Sequence, residues 1–198
     1  MKNKKAITKQ LILVNDATEF IRRYTLTTAR HLNYGEIRIK KIDPKRTNKD
    51  PGWILEEYSY NVSRTGTGGK TPLKKFNYKV TVGGVHNLNN LSRYMRIKGG
   101  LKELKLAGKL PTGEKVYKGL VEFWVKELKA WKPKDLASTF FPKSWPEEKI
   151  RKVIQEASLN IYFRDRNLYR GITKEGIKIE FRVSPQTGEI TTAYITFK

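Results

Sequence analysis

The chain has 198 residues, 41 of them Lys or Arg against 19 Asp or Glu, for a formal net charge of +22. Every quarter of the sequence carries a positive excess, so the charge belongs to the folded body and a basic tail on a neutral domain is excluded. With 38% hydrophobic and 11% aromatic residues the chain can bury a core, which excludes a compositionally disordered polymer. The absence of Cys excludes disulfides, thiolate zinc sites and a cysteine nucleophile. No stretch approaches the ~20 apolar residues of a membrane span. Lys9 and Gln10 interrupt the early apolar run and no small-residue cleavage site follows, so a signal peptide is not expected. An anionic partner is expected, nucleic acid first, because each neutralised phosphate releases counterions. A membrane surface would call for a long amphipathic helix with a Lys/Arg face and aromatics opposite, a pattern the sequence lacks. Acidic protein partners stay open.

In chain order, residues 1–15 read as an N-terminal extension or linker and 16–198 as a single domain. Residues 16–31 predict one helix: Asp16 and Glu19 have capping-box spacing, and Phe20, Ile21 and Tyr24 form an apolar side. From Glu36 to Lys75 periodicity is poor, which predicts a loop-rich excursion with one short strand near Ile54–Tyr60. Within it Gly68-Gly69-Lys70-Thr71 mimics the end of a phosphate-binding loop. The earlier glycine that motif requires is replaced by Arg64, and a flexible loop is expected instead. Phe76, Tyr78, Val80 and Val82 alternate with polar residues as a half-buried strand, ended by Gly83-Gly84. Val121, Phe123 and Val125 mark another strand. Ser144 to Glu147 has the spacing of a second capping box, with Pro146 in the first turn, and opens a helix striped by Ile150, Val153, Ile154, Ala157 and Ile161. Ile177, Ile179, Phe181 and Val183 alternate, Ser184–Gly188 turns, and Glu189–Phe197 returns antiparallel. The class is α+β rather than doubly wound α/β.

His31 and His86 are the only histidines. Singly, His31 suits the C-terminal end of a helix stopped by Gly35, where a cation meets the dipole, and His86 suits a polar loop. As a pair on a basic body they suit RNA cleavage without metal. One imidazole takes the 2′-OH proton and the other protonates the leaving 5′-oxygen, both feasible with an unperturbed pKa near 6.5. The extra charge on phosphorus needs an ammonium or a backbone N–H, which lysines or the Gly83-Gly84 turn supply. No Asp/Glu/His group has metal-ligand spacing, so no metal site is expected. Phe140, Phe141 and Trp145 read as core anchors.

Four segments resemble the EndoU-type endoribonuclease family. Ala137-Ser138-Thr139-Phe140-Phe141-Pro142-Lys143-Ser144-Trp145 is similar to the family's STFFP-x-x-W segment. The C-terminal run from Gly171-Ile172-Thr173 to Ala193-Tyr194 is similar to its last motif. His31-Leu32-Asn33-Tyr34-Gly35-Glu36 resembles the first histidine motif, H-(I/L)-x-Y-G-(D/E), and Gly83-Gly84-Val85-His86-Asn87-Leu88 the second, G-G-x-H-x-L. The two histidine motifs also occur in the coronavirus uridylate-specific endoribonuclease.

The resemblance implies an EndoU-like fold of antiparallel sheets, with an N-terminal and a mid-chain helix packed against them. It implies a catalytic triad of His31, His86 and Lys134, with Lys132 as runner-up for the lysine. Ser138 and Thr192 would hold a uracil edge, Tyr194 would stack on ribose or base, and Gly84 would line the substrate. Thr192 and Tyr194, two apart on a strand, project from one face, with Ala193, Ile195 and Phe197 on the other. The stretch 36–82 would be a basic insertion between the histidine motifs, with Lys40, Lys41, Lys45, Arg46, Lys70, Lys74 and Lys75 available to RNA. The implied activity is uridylate-directed cleavage to 2′,3′-cyclic phosphate ends by a monomeric bacterial toxin domain. Its setting would be delivery into a target-cell cytoplasm, with an acidic immunity protein as partner. No cofactor is implied, and manganese would at most stimulate. The rivals are a non-catalytic RNA- or DNA-binding module of the same fold and a His-based DNA nuclease.

Overall fold

The structure is a computed structural model, and it describes residues 16–42, 54–61, 71–126 and 129–197. Helix α1 spans Ala17–Arg23, and the Asp16 carboxylate accepts the Glu19 N–H at 2.7 Å as its N-cap. The single helix expected over 16–31 is in fact two. The backbone leaves helical geometry at Tyr24, and Thr25 caps a second helix, α2 (Leu26–Tyr34), in a reciprocal box with Thr28. Hydroxyls compete with helical continuation by bonding nearby backbone, and here Thr28 also donates to the Ile190 carbonyl.

The predicted loop-rich excursion contains three strands among the described residues: β1 (Glu36–Ile42), β2 (Ile54–Asn61) and β3 (Thr71–Gly83), ordered β1-β3-β2 and antiparallel. The strand expected near Ile54–Tyr60 is there, and β1 is the one that was missed. Ile37 and Ile39 alternate with basic residues but remain 39% and 40% exposed, so burial leaves no clear imprint on the local pattern. Lys40, Lys41, Lys74 and Lys75 lie on β1 and β3, whereas Lys45, Arg46 and Lys70, with most of the mimic of a phosphate loop, fall outside the described residues. Register decides what this insertion does: β1 pairs with β3 from Glu36↔Gly83 to Ile42↔Asn77, so the chain returns to where it left.

Two small antiparallel sheets follow. β4 (Met95–Ile97), β7 (Val121–Val125) and β8 (Ala130–Pro133) form one, and β5 (Lys105–Lys109), β6 (Lys115–Gly119) and β9 (Ser138–Thr139) the other. Val85, Met95, Ile97, Val121, Phe123 and Phe140 pack together as their core. Helix α3 (Glu147–Leu159) buries Ile150, Val153, Ile154 and Ala157 on the predicted stripe. Its predicted capping box is absent: Pro146 is the N-cap, with no side-chain cap, so Ser144 sits two residues too early. Ile161 belongs to the next strand rather than the helix.

The chain ends in a four-stranded antiparallel meander, β10 (Ile161–Asp165), β11 (Leu168–Ile172), β12 (Lys178–Val183) and β13 (Ile190–Ile195). Its inner face, with Ile179, Phe181, Ala193 and Ile195, packs with Phe20, Leu32, Phe141, Trp145 and the α3 stripe into the main core. The expected anchors Phe140, Phe141 and Trp145 are all buried. Phe197 departs from the expected inner face; β13 ends at Ile195, and the ring is 46% exposed, lying against Gly108. The α+β class stands. Among the described residues no helix is long and apolar enough to cross a membrane.

α3 and β11 touch backbone to backbone at Gly171, where an added Cβ would lie 1.9 Å from the Ala157 carbonyl oxygen. Gly171→Ala therefore has to push the helix off the sheet, and is expected to lower unfolding free energy by about 3 kcal/mol in a urea titration.

Candidate active site

The site begins where the end of α2 meets the turn after β3. The Val85 N–H donates to the His31 carbonyl at 2.9 Å and the His86 N–H to the Leu32 carbonyl at 2.7 Å. The His31 carbonyl also takes the Gly35 cap N–H at 3.2 Å, so the turn adds a second donor there and a first donor from outside the helix at Leu32. Gly84 makes the approach possible: its φ is +78°, and a Cβ there would stand 2.0 Å from the His31 oxygen. Because β1 and β3 pair from their shared end, the insertion closes on itself and the two histidine segments become neighbours.

His86 is 6% exposed. Its Nδ1 lies 2.8 Å from the Thr139 carbonyl, an acceptor only, which places the proton on Nδ1 and leaves the Nε2 lone pair bare in the neutral ring. Nε2 faces the Thr192 hydroxyl at 3.4 Å, and the ring stacks on Tyr194 with centroids 5.3 Å apart and planes 14° from parallel. Burial first, and then the Lys134 charge, push its pKa down to about 3. His31 Nδ1 lies 2.7 Å from Glu36 Oε1, and Arg38 reaches the same oxygen at 2.6 Å. Burial lowers the His31 pKa, opposed by the hydrogen bond and charge of Glu36.

Lys134 Nζ donates to the Gly84 carbonyl at 2.7 Å and to Ser138 Oγ at 2.5 Å. No carboxylate pairs with it among the described residues, and burial pushes its pKa down to about 8. The Lys134 ammonium reaches this turn, and Lys132, the runner-up, is buried within β8. Thus His31, His86, Gly84, Lys134, Ser138, Thr192 and Tyr194 are all brought together. One of them, Ser138, sits differently from expectation. Ser138 is 1% exposed, its hydroxyl held by Lys134 and Gly84 rather than offered to a base. Gly84 turns its carbonyl to the lysine.

Sequence reasoning assigned no role to Glu36, Thr139, Glu180 or Arg170. The Tyr194 phenol donates to Glu180 Oε1, and Arg170 Nε donates to Glu180 Oε2 at 2.9 Å. Burial and then the Glu180 carboxylate push the Tyr194 pKa up to about 12. Glu36 stood inside the first histidine motif and could have been found there. Glu180 lies opposite Tyr194 only through strand register, which no local pattern announces. Among the described residues no group of three His, Cys, Asp or Glu is arranged to hold a metal ion.

The depressed His86 has a consequence for stability. Its folded pKa, about 3, lies below the unfolded value of about 6.5, so the unfolded chain binds the extra proton between these limits. The stability associated with the neutral ring is complete above about pH 6.5 and is lost as pH falls toward 3. In urea titrations at successive pH values, His86→Gln is expected to flatten the slope of stability against pH between 4 and 6.

The bacterial EndoU nuclease family model matches residues 75–196. That span includes His86, Lys134, Ser138, Thr192 and Tyr194, while His31 and Glu36 precede it. No curated protein and no solved structure gives a match. The family match extends over more than half of the chain, and the chain belongs to the bacterial EndoU nucleases.

Proposed function

We propose that this nuclease cleaves RNA at uridylates by attack of the 2′-OH on the adjacent phosphorus, leaving a 2′,3′-cyclic phosphate and a 5′-OH. The observation that carries this reading is the convergence of two imidazoles and a half-buried ammonium on the Gly84 turn. His86 is the base: Nδ1–H is committed to Thr139, so Nε2 takes the 2′-OH proton. His31 is the acid: Glu36 favours its imidazolium, which protonates the departing 5′-oxygen. Lys134 offsets the charge that grows on the pentacoordinate phosphorus, and Ser138 and Gly84 hold its ammonium in place. The step moves one proton onto His86 and one off His31, and exchange with solvent restores both.

Burial depresses all three groups in the free protein. A phosphodiester anion brought among them acts in the opposite direction and raises each pKa, so substrate tunes the base that it needs. Thr192 offers a hydroxyl to the uracil edge, and the face of Tyr194 turned away from His86 is the stacking surface for the nucleotide. Manganese can stimulate and is not required in this reading. The biological setting is a monomeric toxin domain delivered to a target-cell cytoplasm and restrained at its source by an acidic immunity protein, which suits a surface of net charge +22.

The test is incubation with an RNA holding a single uridine, in EDTA. Products ending in 2′,3′-cyclic phosphate are expected, and replacing that uridine with 2′-deoxyuridine should stop the reaction. Cleavage of an all-deoxy strand would overturn the chemistry. His86→Ala should lower kcat by about 10³-fold. Glu36→Gln removes a group that raises the His31 pKa, so the alkaline limb of the pH–rate profile should move to lower pH. An unmoved alkaline limb would take His31 out of the acid role.

A further inference from the structure

Beside Thr192 and Tyr194, the open face of the C-terminal sheet carries charged side chains that the chemistry above does not use. Residues two apart on a strand share a face, and the register puts Arg182 opposite Thr192 and Glu180 opposite Tyr194. On the other side of β12, Arg170 stands opposite Glu180 and Leu168 opposite Arg182. Glu180 is the carboxylate of this block, and both of its oxygens are engaged: Oε2 by Arg170 at 2.9 Å and Oε1 by the Tyr194 phenol. Arg170 is further held over the Phe163 ring at 4.5 Å from its centroid. Arg182, two residues along the same face, feels the Glu180 charge but makes no direct ion pair with it. Its cross-strand neighbours are Thr192 and Leu168, it makes no ion pair among the described residues, and it is exposed. Its guanidinium lies beside the Tyr194 phenol.

An exposed guanidinium, next to the threonine and tyrosine assigned to the nucleotide, while a second arginine makes the direct ion pair with the local carboxylate, has the chemistry of a phosphate clamp. We propose that Arg182 binds a phosphate of the RNA strand flanking the cleaved nucleotide, extending the substrate site from Thr192 and Tyr194 across the open face of the meander. This deepens the function proposed above and rests on its placement of the nucleotide. Arg170 has a positioning role, engaging Glu180 Oε2 directly, and the two arginines are not interchangeable.

The experiment measures binding rather than cleavage, so its failure and the failure of the proposed reaction are distinguishable. Wild-type protein and Arg182→Gln are titrated by fluorescence anisotropy with a labelled RNA octamer whose single central uridine is 2′-deoxy and cannot be cut. The variant should bind about tenfold more weakly at low salt, and the slope of log affinity against log salt should shrink by about 0.7, one phosphate on a single strand. Neutral methylphosphonates are then placed one at a time along the octamer. One next to the uridine should weaken wild type, yet cost Arg182→Gln nothing further, while Arg182→Lys should retain part of that sensitivity. Binding of Arg182→Gln within twofold of wild type, equal sensitivity of the two proteins to every methylphosphonate, or no binding by wild type would each overturn the proposal. Circular dichroism of this exposed-site variant checks that it is folded. If the coupling is found but uridine RNA is not cleaved, the clamp stands and the proposed reaction falls.

Discussion

Two backbone hydrogen bonds hold this site together: Val85 to His31 and His86 to Leu32, each from the turn after β3 to the last turn of α2. They fix the spacing of the two histidines through main chain, which is far stiffer than any contact between side chains. Their existence depends on Gly84, since any Cβ at that position would collide with the His31 carbonyl. The Gly84 carbonyl then receives Lys134 and Ser138, so one turn fixes helix, lysine and serine at once. The insertion from Glu36 to Val82 disturbs none of this, because its first and last strands pair with each other and close the loop at its root.

The electrostatics follow from that packing. A lysine held by a carbonyl and a hydroxyl, rather than by a carboxylate, keeps its positive charge uncompensated, and the imidazole of His86 beside it stays neutral. The remaining basic surface has a different and more generic effect: it raises the local concentration of a polyanion and steers it, in a salt-dependent way. Thus the net charge of +22 bears on capture, while the chemistry proposed here rests on the few groups whose protons the fold controls.

What the sequence disclosed, it disclosed through local patterns. The C-terminal hairpin was legible because Ile177, Ile179, Phe181 and Val183 alternate and all four are buried. The α3 stripe was legible for the same reason. β1 was not, since Ile37 and Ile39 are only half-covered and the basic residues beside them imitate a solvated loop. Nor was the break between α1 and α2, where Thr25 and Thr28 find backbone partners that a propensity scale does not represent. At the site, His31, His86 and Lys134 could be named from motifs, but the burial of Ser138 beneath Lys134 and the Arg170–Glu180–Tyr194 arrangement could not. The first is set by how the short segment from Lys134 to Ser138 folds under the Gly84 turn, the second by register between neighbouring strands of the meander, and register is set by the whole sheet rather than by any one segment.

Because the chain holds only two histidines, their titration can be followed without ambiguity by nitrogen-15 NMR of the imidazoles. The arrangement around Gly84 requires His86 to remain neutral, with its proton on Nδ1, from pH 8 to below 5, while His31 takes its proton at a higher pH than His86. Two rings titrating together near the unperturbed pKa of about 6.5, or a neutral His86 carrying its proton on Nε2, would contradict it.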